Sequence, residues 1–261
     1  MELSTTSIFG VTVTVASKKD ILLFIHQFMH APSGDAAVIT IATPNTEQVM
    51  LAQEQKPFKT VLNTFDIALP DGKNLQLANW RIKDRKLRIK ERISGVDFLQ
   101  DLCRLAVTNK WPIACIGGRD GVAECALGKL QELFPGLTGW ASDGPEIVEG
   151  TDVIGDVMTV IDRMKKAGTR MVFIGFGAPK QEFFMEALEK RLKKDMPSES
   201  IILMVVGGSF DMIAGKVKRA PKFVQTIGFE WLWRLKEEPW RWRRQIVLWK
   251  FIWYVLTQKF V

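Results

Sequence analysis

Along the chain, short and almost wholly aliphatic runs alternate with longer stretches whose apolar positions recur every three or four residues. The short runs are residues 37–42, 113–116, 171–174 and 201–206. Near-continuous apolarity over such spans predicts strands buried on both faces. The helical period runs through residues 18–29, 46–55, 96–109, 122–133, 153–167 and 181–193. This alternation predicts an α/β fold, a Rossmann-like and mainly parallel sheet with helices on both faces. No internal repeat or low-complexity segment interrupts it.

Beyond Gly215 the pattern changes. Residues 216–229 are basic and read as irregular, with Pro221 as punctuation; a helical segment follows at 230–235 and a long helix from about residue 238. Six of the nine tryptophans lie between Trp231 and Trp253, which makes this the most aromatic part of the chain. At ~100° per residue, Trp242, Ile246, Trp249, Trp253 and Leu256 share one helical face. Arg243 and Lys250 flank that face, while Arg241 and Arg244 fall elsewhere. The reading is a core over residues 1–215 and a helical, membrane-associating C-terminal appendage over 216–261.

Charge sharpens that division. The net charge is +7, yet residues 216–261 hold 11 Lys/Arg against 3 Asp/Glu, and the rest of the chain holds 25 against 26. Essentially all the excess positive charge sits in the tail and asks for an anionic partner: ligand phosphates, lipid head groups or nucleic acid. Cys103, Cys115 and Cys125 show neither metal-ligand spacing nor an even disulfide framework, and each falls in an apolar stretch, so buried free thiols in a reducing compartment are expected. No basic segment followed by an apolar run opens the chain, and no apolar stretch approaches the ~20 residues that span a bilayer.

Ligands of open parallel sheets collect at the carboxyl ends of the strands, and several polar clusters fall there. Thr43-Pro44-Asn45-Thr46 follows the first run and opens a helix, so helix capping alone would explain it. Leu69-Pro70-Asp71-Gly72 has the composition of a simple turn. Gly117-Gly118-Arg119-Asp120-Gly121 resembles a phosphate-binding turn, without the spacing of the dinucleotide fingerprint. Gly175-Phe176-Gly177-Ala178-Pro179-Lys180-Gln181-Glu182 runs strand, glycine turn, helix, an arrangement that offers backbone N–H groups to an anion. Gly207-Gly208-Ser209-Phe210-Asp211 repeats it at another strand end. Glycine also permits close helix–sheet packing, but two such turns on neighbouring strands favour a ligand cleft. In the tail, Arg234, Arg241 and Arg244 carry forks suited to diphosphate oxygens, or else form a solvated basic face. His26 and His30 are read as structural. The absence of any Asp-x-Asp pair gives no sign of a chelated metal.

Taken in order, these segments resemble the WecG/TagA/CpsF family of glycosyltransferases (glycosyltransferase family 26). The resemblance rests on Thr43-Pro44-Asn45, Pro70-Asp71-Gly72, Arg92 through Gly95-Val96-Asp97, and Gly177 through Glu182. It continues through Gly207 to Asp211, Lys218-Arg219-Ala220-Pro221, and Gly228 to Arg234 with Pro239, Arg241 and Arg244. It extends from about residue 40 almost to the C-terminus.

The resemblance implies an inverting, metal-independent transfer from a UDP-sugar to a polyprenyl (undecaprenyl)-diphosphate-linked saccharide, with no cofactor, on a peripheral protein at the cytoplasmic face of the cell membrane. It implies Asp71 as general base, with Thr43 and Asn45 lining the same pocket. Arg92, Gly177, Gln181, Gly207, Gly208 and Asp211 belong to the cleft, and Arg234, Arg241 and Arg244 to an appendage that completes the site at an anionic membrane surface. Members of the family often form homo-oligomers when soluble. Two rival readings are set against it. A UDP-sugar epimerase would call for a nicotinamide cofactor, and no Gly-x-Gly-x-x-Gly fingerprint is present. A non-catalytic membrane- or nucleic-acid-binding protein would use the basic tryptophan-rich tail, and would leave the strand-end clusters idle; the favoured reading expects no nucleic acid partner.

Overall fold

The computed structural model describes residues 3–31, 37–144, 154–221, 223–224, 230–237 and 242–257; side chains of residues 154–156, 230, 231, 234, 237 and 242–245 fall outside that description. Two strands open the chain, β1 (Thr5–Ile8) and β2 (Val11–Thr14), followed by α1 (Lys18–Met29) and β3 (Val38–Ala42). Next come α2 (Thr46–Glu54), α3 (Lys56–Leu62), β4 (Ile67–Ala68), 3₁₀ turns at Lys73–Trp80 and Arg85–Leu87, and α4 (Gly95–Asn109). The second half runs β5 (Ile113–Gly117), α5 (Val122–Leu133), β6 (Gly139–Ser142), α6 (Ile154–Ala167), β7 (Met171–Gly175), α7 (Lys180–Asp195), β8 (Ile201–Val205) and α8 (Ser209–Ile213). Helices Glu230–Glu237 and Trp242–Thr257 close the described chain. The expected irregular stretch at 216–229 and the expected helix start near 238 fall partly outside the described residues.

β3 to β8 make one six-stranded sheet of order β4-β3-β8-β7-β5-β6, parallel at every junction. Successive side chains of a strand point to opposite faces, and the core divides accordingly. Ala114, Ile116, Val172, Ile174, Leu203 and Val205 pack on one face with residues of α2, α3, α6 and α7. Ile113, Cys115, Met171, Phe173, Ile202 and Met204 pack on the other with α1, α4 and α5. The helix layers therefore lie on both faces, as the aliphatic runs predict. Crossovers from β4 to β5 and from β5 to β6 move across the sheet in one direction and place their helices on one face. Those from β3 to β4, β6 to β7 and β7 to β8 move the opposite way over the other face, so all share one hand.

The amino-terminal hairpin is a separate two-stranded sheet turning at Phe9 and Gly10, whose φ angles of 51° and 75° suit a two-residue primed turn. Its tip receives the last helix: the Phe9 ring meets Phe251 and Tyr254 edge-on at 5.8 and 5.5 Å. Phe251 and Val255 are buried, and Lys250 pairs with Glu54 of α2 at 3.3 Å. The opposite stripe of that helix, Ile246, Trp249, Trp253 and Leu256, is exposed, which agrees with the face expected from periodicity; the side chain of Trp242 lies outside the described residues. Cys103 and Cys115 are buried and free, but Cys125 is exposed, against the expectation that all three are buried. It lies on the outward side of α5, whose inward stripe is filled by Val122, Ala123, Ala126, Leu127 and Leu130.

Candidate active site

Because β4, β3, β8 and β7 are consecutive in the sheet, four of the polar clusters stand side by side at their carboxyl ends. At strand spacings of 4.7–4.9 Å they cover about 14 Å of sheet edge. Thr43 follows β3, Asp71 lies just past β4, Gly177 just past β7, and Gly207 just past β8.

Asp71 is the best-held side chain of the group. Its backbone N–H donates to the Pro44 carbonyl at 3.0 Å, fixing the turn against the strand-end loop after β3. The N–H of Gly95, the first residue of α4, donates to Oδ2 at 3.0 Å, where a carboxylate is also favoured by the helix dipole. Arg92 donates to Oδ1 through Nη2 at 3.3 Å and Nε at 3.4 Å. A side chain at position 95 would come within 3.1 Å of the Thr43 methyl and 3.3 Å of Asp71 Oδ2, so glycine there lets three segments converge. Both members of the ion pair keep partial exposure, Asp71 at 25% and Arg92 at 19%, so the carboxylate is oriented yet reachable.

Asn45 caps α2 in a reciprocal box with Gln48: the Gln48 N–H donates to Asn45 Oδ1 and the Asn45 N–H to Gln48 Oε1, both at 3.1 Å. Both the capping and the site readings of this segment are therefore compatible with its place beside Asp71. Gln48 then reaches across to α7, where its Nε2 donates to Glu182 Oε1 at 2.9 Å. Gln181 Nε2 donates to the same oxygen at 2.9 Å. Gln181 Oε1 accepts the N–H groups of Gly177 at 3.2 Å and Gly207 at 3.0 Å. One buried amide thus ties the turns after β7 and β8 together.

That arrangement changes the reading of the glycine turns. In turns expected to offer backbone N–H groups to an anion, those of Gly177 and Gly207 are directed into Gln181. What Gly177 and Gly207 contribute is positive φ, 78° and 51°, and space: nothing lies within 4 Å of a Cβ built at Gly177. The turn at Gly117 is a packing turn, since a Cβ there would stand 2.7 Å from the Gly175 carbonyl. Gly208 caps the short α8, and Asp211 lies within it, its carbonyl accepting the Val217 N–H at 3.1 Å. Arg241 lies outside the described residues, as do the side chains of Arg234 and Arg244 on their helices.

Residues that stand in the landmark segments without an assigned role complete the frame. Glu182 is fully buried, its Oε2 atom has no hydrogen-bond partner, and burial pushes its carboxyl up to about 7. Arg219 forks onto Asp97, in the first turn of α4, with both contacts at 2.7 Å, and so pins the start of the tail beside Gly95. The guanidinium holds the Asp97 carboxyl below its ordinary range. Among the described residues no group of three or more His, Cys, Asp or Glu is gathered as a metal site. His26 and His30 stack at 4.3 Å, against Trp111. A cavity of about 420 Å³ lined by Lys165, Arg170 and Asp195 opens at the amino ends of β7 and β8, the end of the sheet away from these clusters.

Residues 6–261 match the Glycosyl transferase WecG/TagA/CpsF family, so the match takes in the amino-terminal hairpin, which carries none of the landmark segments. A Bacillus subtilis (strain 168) protein named N-acetylglucosaminyldiphosphoundecaprenol N-acetyl-beta-D-mannosaminyltransferase is 29% identical over 221 residues, 84% of this chain and 79% of that protein. A protein of the same name from Bacillus spizizenii (strain ATCC 23059 / NRRL B-14472 / W23) is 30% identical over 220 residues, with the same shares.

Proposed function

Since the chain belongs to the WecG/TagA/CpsF family of glycosyl transferases, we propose that this glycosyltransferase moves an N-acetylhexosamine, N-acetylmannosamine first among them, from its UDP-sugar onto an N-acetylglucosaminyl-diphosphoundecaprenol acceptor. The two named relatives support both the sugar and the acceptor. The observation that carries the reading is the Asp71 carboxylate, held by Arg92 and the Gly95 N–H and partly exposed at the carboxyl edge of the sheet.

In the proposed reaction an acceptor hydroxyl attacks the anomeric carbon in line as UDP departs from the opposite side, inverting the centre. Asp71 takes the hydroxyl proton, a role worth ~10²–10⁴ in rate. Arg92 and the Gly95 N–H keep it oriented, and the acceptor approaches over Thr43 and Asn45. The open turns at Gly177 and Gly207 give the donor room to lie along the strand ends, with Gly208 and Asp211 bordering it. Negative charge on the departing diphosphate is offset by Arg234, Arg241 and Arg244 of the 216–261 appendage, without a metal. Among the described residues no helix is long and apolar enough to cross a membrane. The proposed location is peripheral, on the inner face of the cell membrane.

The test is UDP release from a panel of UDP-sugars, with and without a short-chain lipid-diphosphate saccharide, in EDTA. Acceptor-dependent release from one donor is the expected result. Release that needs a divalent cation removes the metal-free part of the proposal, and no release from any donor in the presence of detergent or vesicles removes the reaction.

A further inference from the structure

The charge averaged over residues 1–215 hides a local excess. Residues 81–92 carry seven Lys/Arg against two Asp/Glu. They belong to an excursion that leaves the sheet edge directly after Asp71 and returns at Arg92. Its ends are fastened by the Asp71–Arg92 pair and by the Ile93 N–H donating to the Pro70 carbonyl at 3.1 Å.

The excursion is a built element. Asn79 donates to the Ile89 carbonyl and accepts the Ile89 N–H, both at 2.8 Å, and Ile82 and Ile89 are buried. In a 3₁₀ turn, positions three apart fall on one face. Leu75 and Ala78 accordingly point inward and are fully buried, whereas Leu77 and Trp80 point outward, 47% and 81% exposed. An outward pair of that size on a structured element has no explanation in the core.

The last helix packs against this same 3₁₀ turn, and Arg81 Nη1 donates to the Leu256 carbonyl at 3.4 Å. The helix that carries the exposed stripe of Ile246, Trp249, Trp253 and Leu256 thus meets the element that carries Trp80. Eleven large apolar side chains are exposed among the described residues, and seven of them lie in positions 77–87 and 246–256. Lys83, Arg85, Lys86 and Lys90 are exposed around the first group, against the exposed acids Asp84 and Glu91. Clustered apolar surface with a polar, mainly basic rim marks an interaction site. Tryptophan and leucine among lysines and arginines is the composition of an element lying at a lipid interface, where each basic residue gains from anionic head groups.

We infer that the 73–90 excursion and the last helix together form one docking surface for an anionic bilayer, with the excursion as an independent limb. Its meaning rests on the proposed lipid-linked acceptor: the excursion grows out of Asp71 and Arg92, so seating it on head groups brings the Asp71 pocket to the depth where a lipid diphosphate presents its sugar.

The experiment is flotation of the full chain with vesicles of phosphatidylcholine containing phosphatidylglycerol, and with phosphatidylcholine alone, in the absence of donor and acceptor. Leu77→Ser with Trp80→Ser, and separately Lys83→Glu with Lys86→Glu, should each lower affinity for the anionic vesicles by about tenfold or more with the last helix intact. The charge variant touches only exposed positions and keeps the test decisive if the apolar variant misfolds. Wild-type affinity in a folded variant, or equal binding to both vesicle types, overturns the inference. So does a loss seen only with a single-stranded oligonucleotide. Vesicle binding that falls as expected while no UDP-sugar is ever turned over leaves the docking surface standing and removes the enzymatic reading, so the two fail separately.

Discussion

Arg92 and Asp71 stand 21 positions apart in the chain and meet at 3.3 Å, guanidinium against carboxylate. With the Gly95 N–H on the other oxygen, this fixes the plane of the carboxylate at the sheet edge. Asp71→Asn keeps an acceptor for one of these donors but removes the proton acceptor of the proposed step. Turnover should fall by ~10²–10⁴ while UDP affinity changes little. Steady-state rates beside calorimetric UDP binding check it, and near-normal turnover would take Asp71 out of the base role.

Arg92 is expected to act through Asp71, as a positioning residue. Arg92→Lys retains a charge but not the fork that reaches with two nitrogens. A charged hydrogen bond contributes about 1.5–3 kcal/mol, so Arg92→Ala should cost about 10- to 100-fold in kcat, and Arg92→Lys less. A positioning role predicts that the loss lies in kcat more than in KM. If Arg92→Ala changes KM for donor or acceptor alone, the residue binds substrate and does not orient the base.

Much of this frame is visible in the sequence, and the exceptions have physical causes. β3, β5, β7 and β8 are buried on both faces and announce themselves as aliphatic runs. β4 pairs only through Ile67 and Ala68, and a two-residue strand has no pattern to detect. β6 is an edge strand of sequence Gly-Trp-Ala-Ser whose glycine is needed because a Cβ would collide with the Ile113 carbonyl. The hairpin at residues 5–14 alternates too briefly to stand out beside α1. In the site, Thr43, Asp71 and Arg92 are brought together as the ordered landmarks imply. The bond from Gln48 to Glu182 is not legible in the sequence, because it joins residues 134 positions apart. The basic excursion was concealed by averaging charge over the whole core.

Glu182 gives a pH signature. Its carboxyl is raised to about 7 in the fold from an ordinary value of 4.5, with burial as the main cause. The folded state therefore keeps a proton that the unfolded chain releases, so stability is greatest below about pH 4.5 for this group and falls as pH rises toward about 7, by at most on the order of 3 kcal/mol. Glu182→Gln retains an acceptor for the Gln48 and Gln181 amides and cannot ionise. Its unfolding midpoint in urea should lose the decline between about pH 5 and 7, and should exceed the parent's at about pH 8. An identical pH slope in the two proteins would show that Glu182 does not titrate in that window.

The Arg219–Asp97 fork should be legible from the acid side. Asp97 is held below its ordinary value of 3.8, chiefly by its hydrogen bonds from Arg219. A depressed carboxyl stabilises the fold above its unfolded pKa and loses that contribution as pH falls through the folded one. The Asp97 side chain is 46% exposed, so solvent discounts the pair, and Arg219→Ala should cost about 1–2 kcal/mol at about pH 7. The cost should shrink in acid, as pH falls through the lowered Asp97 value and the carboxyl takes up its proton. A double-mutant cycle with Asp97→Asn, followed by urea unfolding at neutral pH and in acid, isolates the coupling. A penalty for Arg219→Ala that persists undiminished in acid would place its contribution in packing of the Arg219 stem against α4 and not in the ion pair.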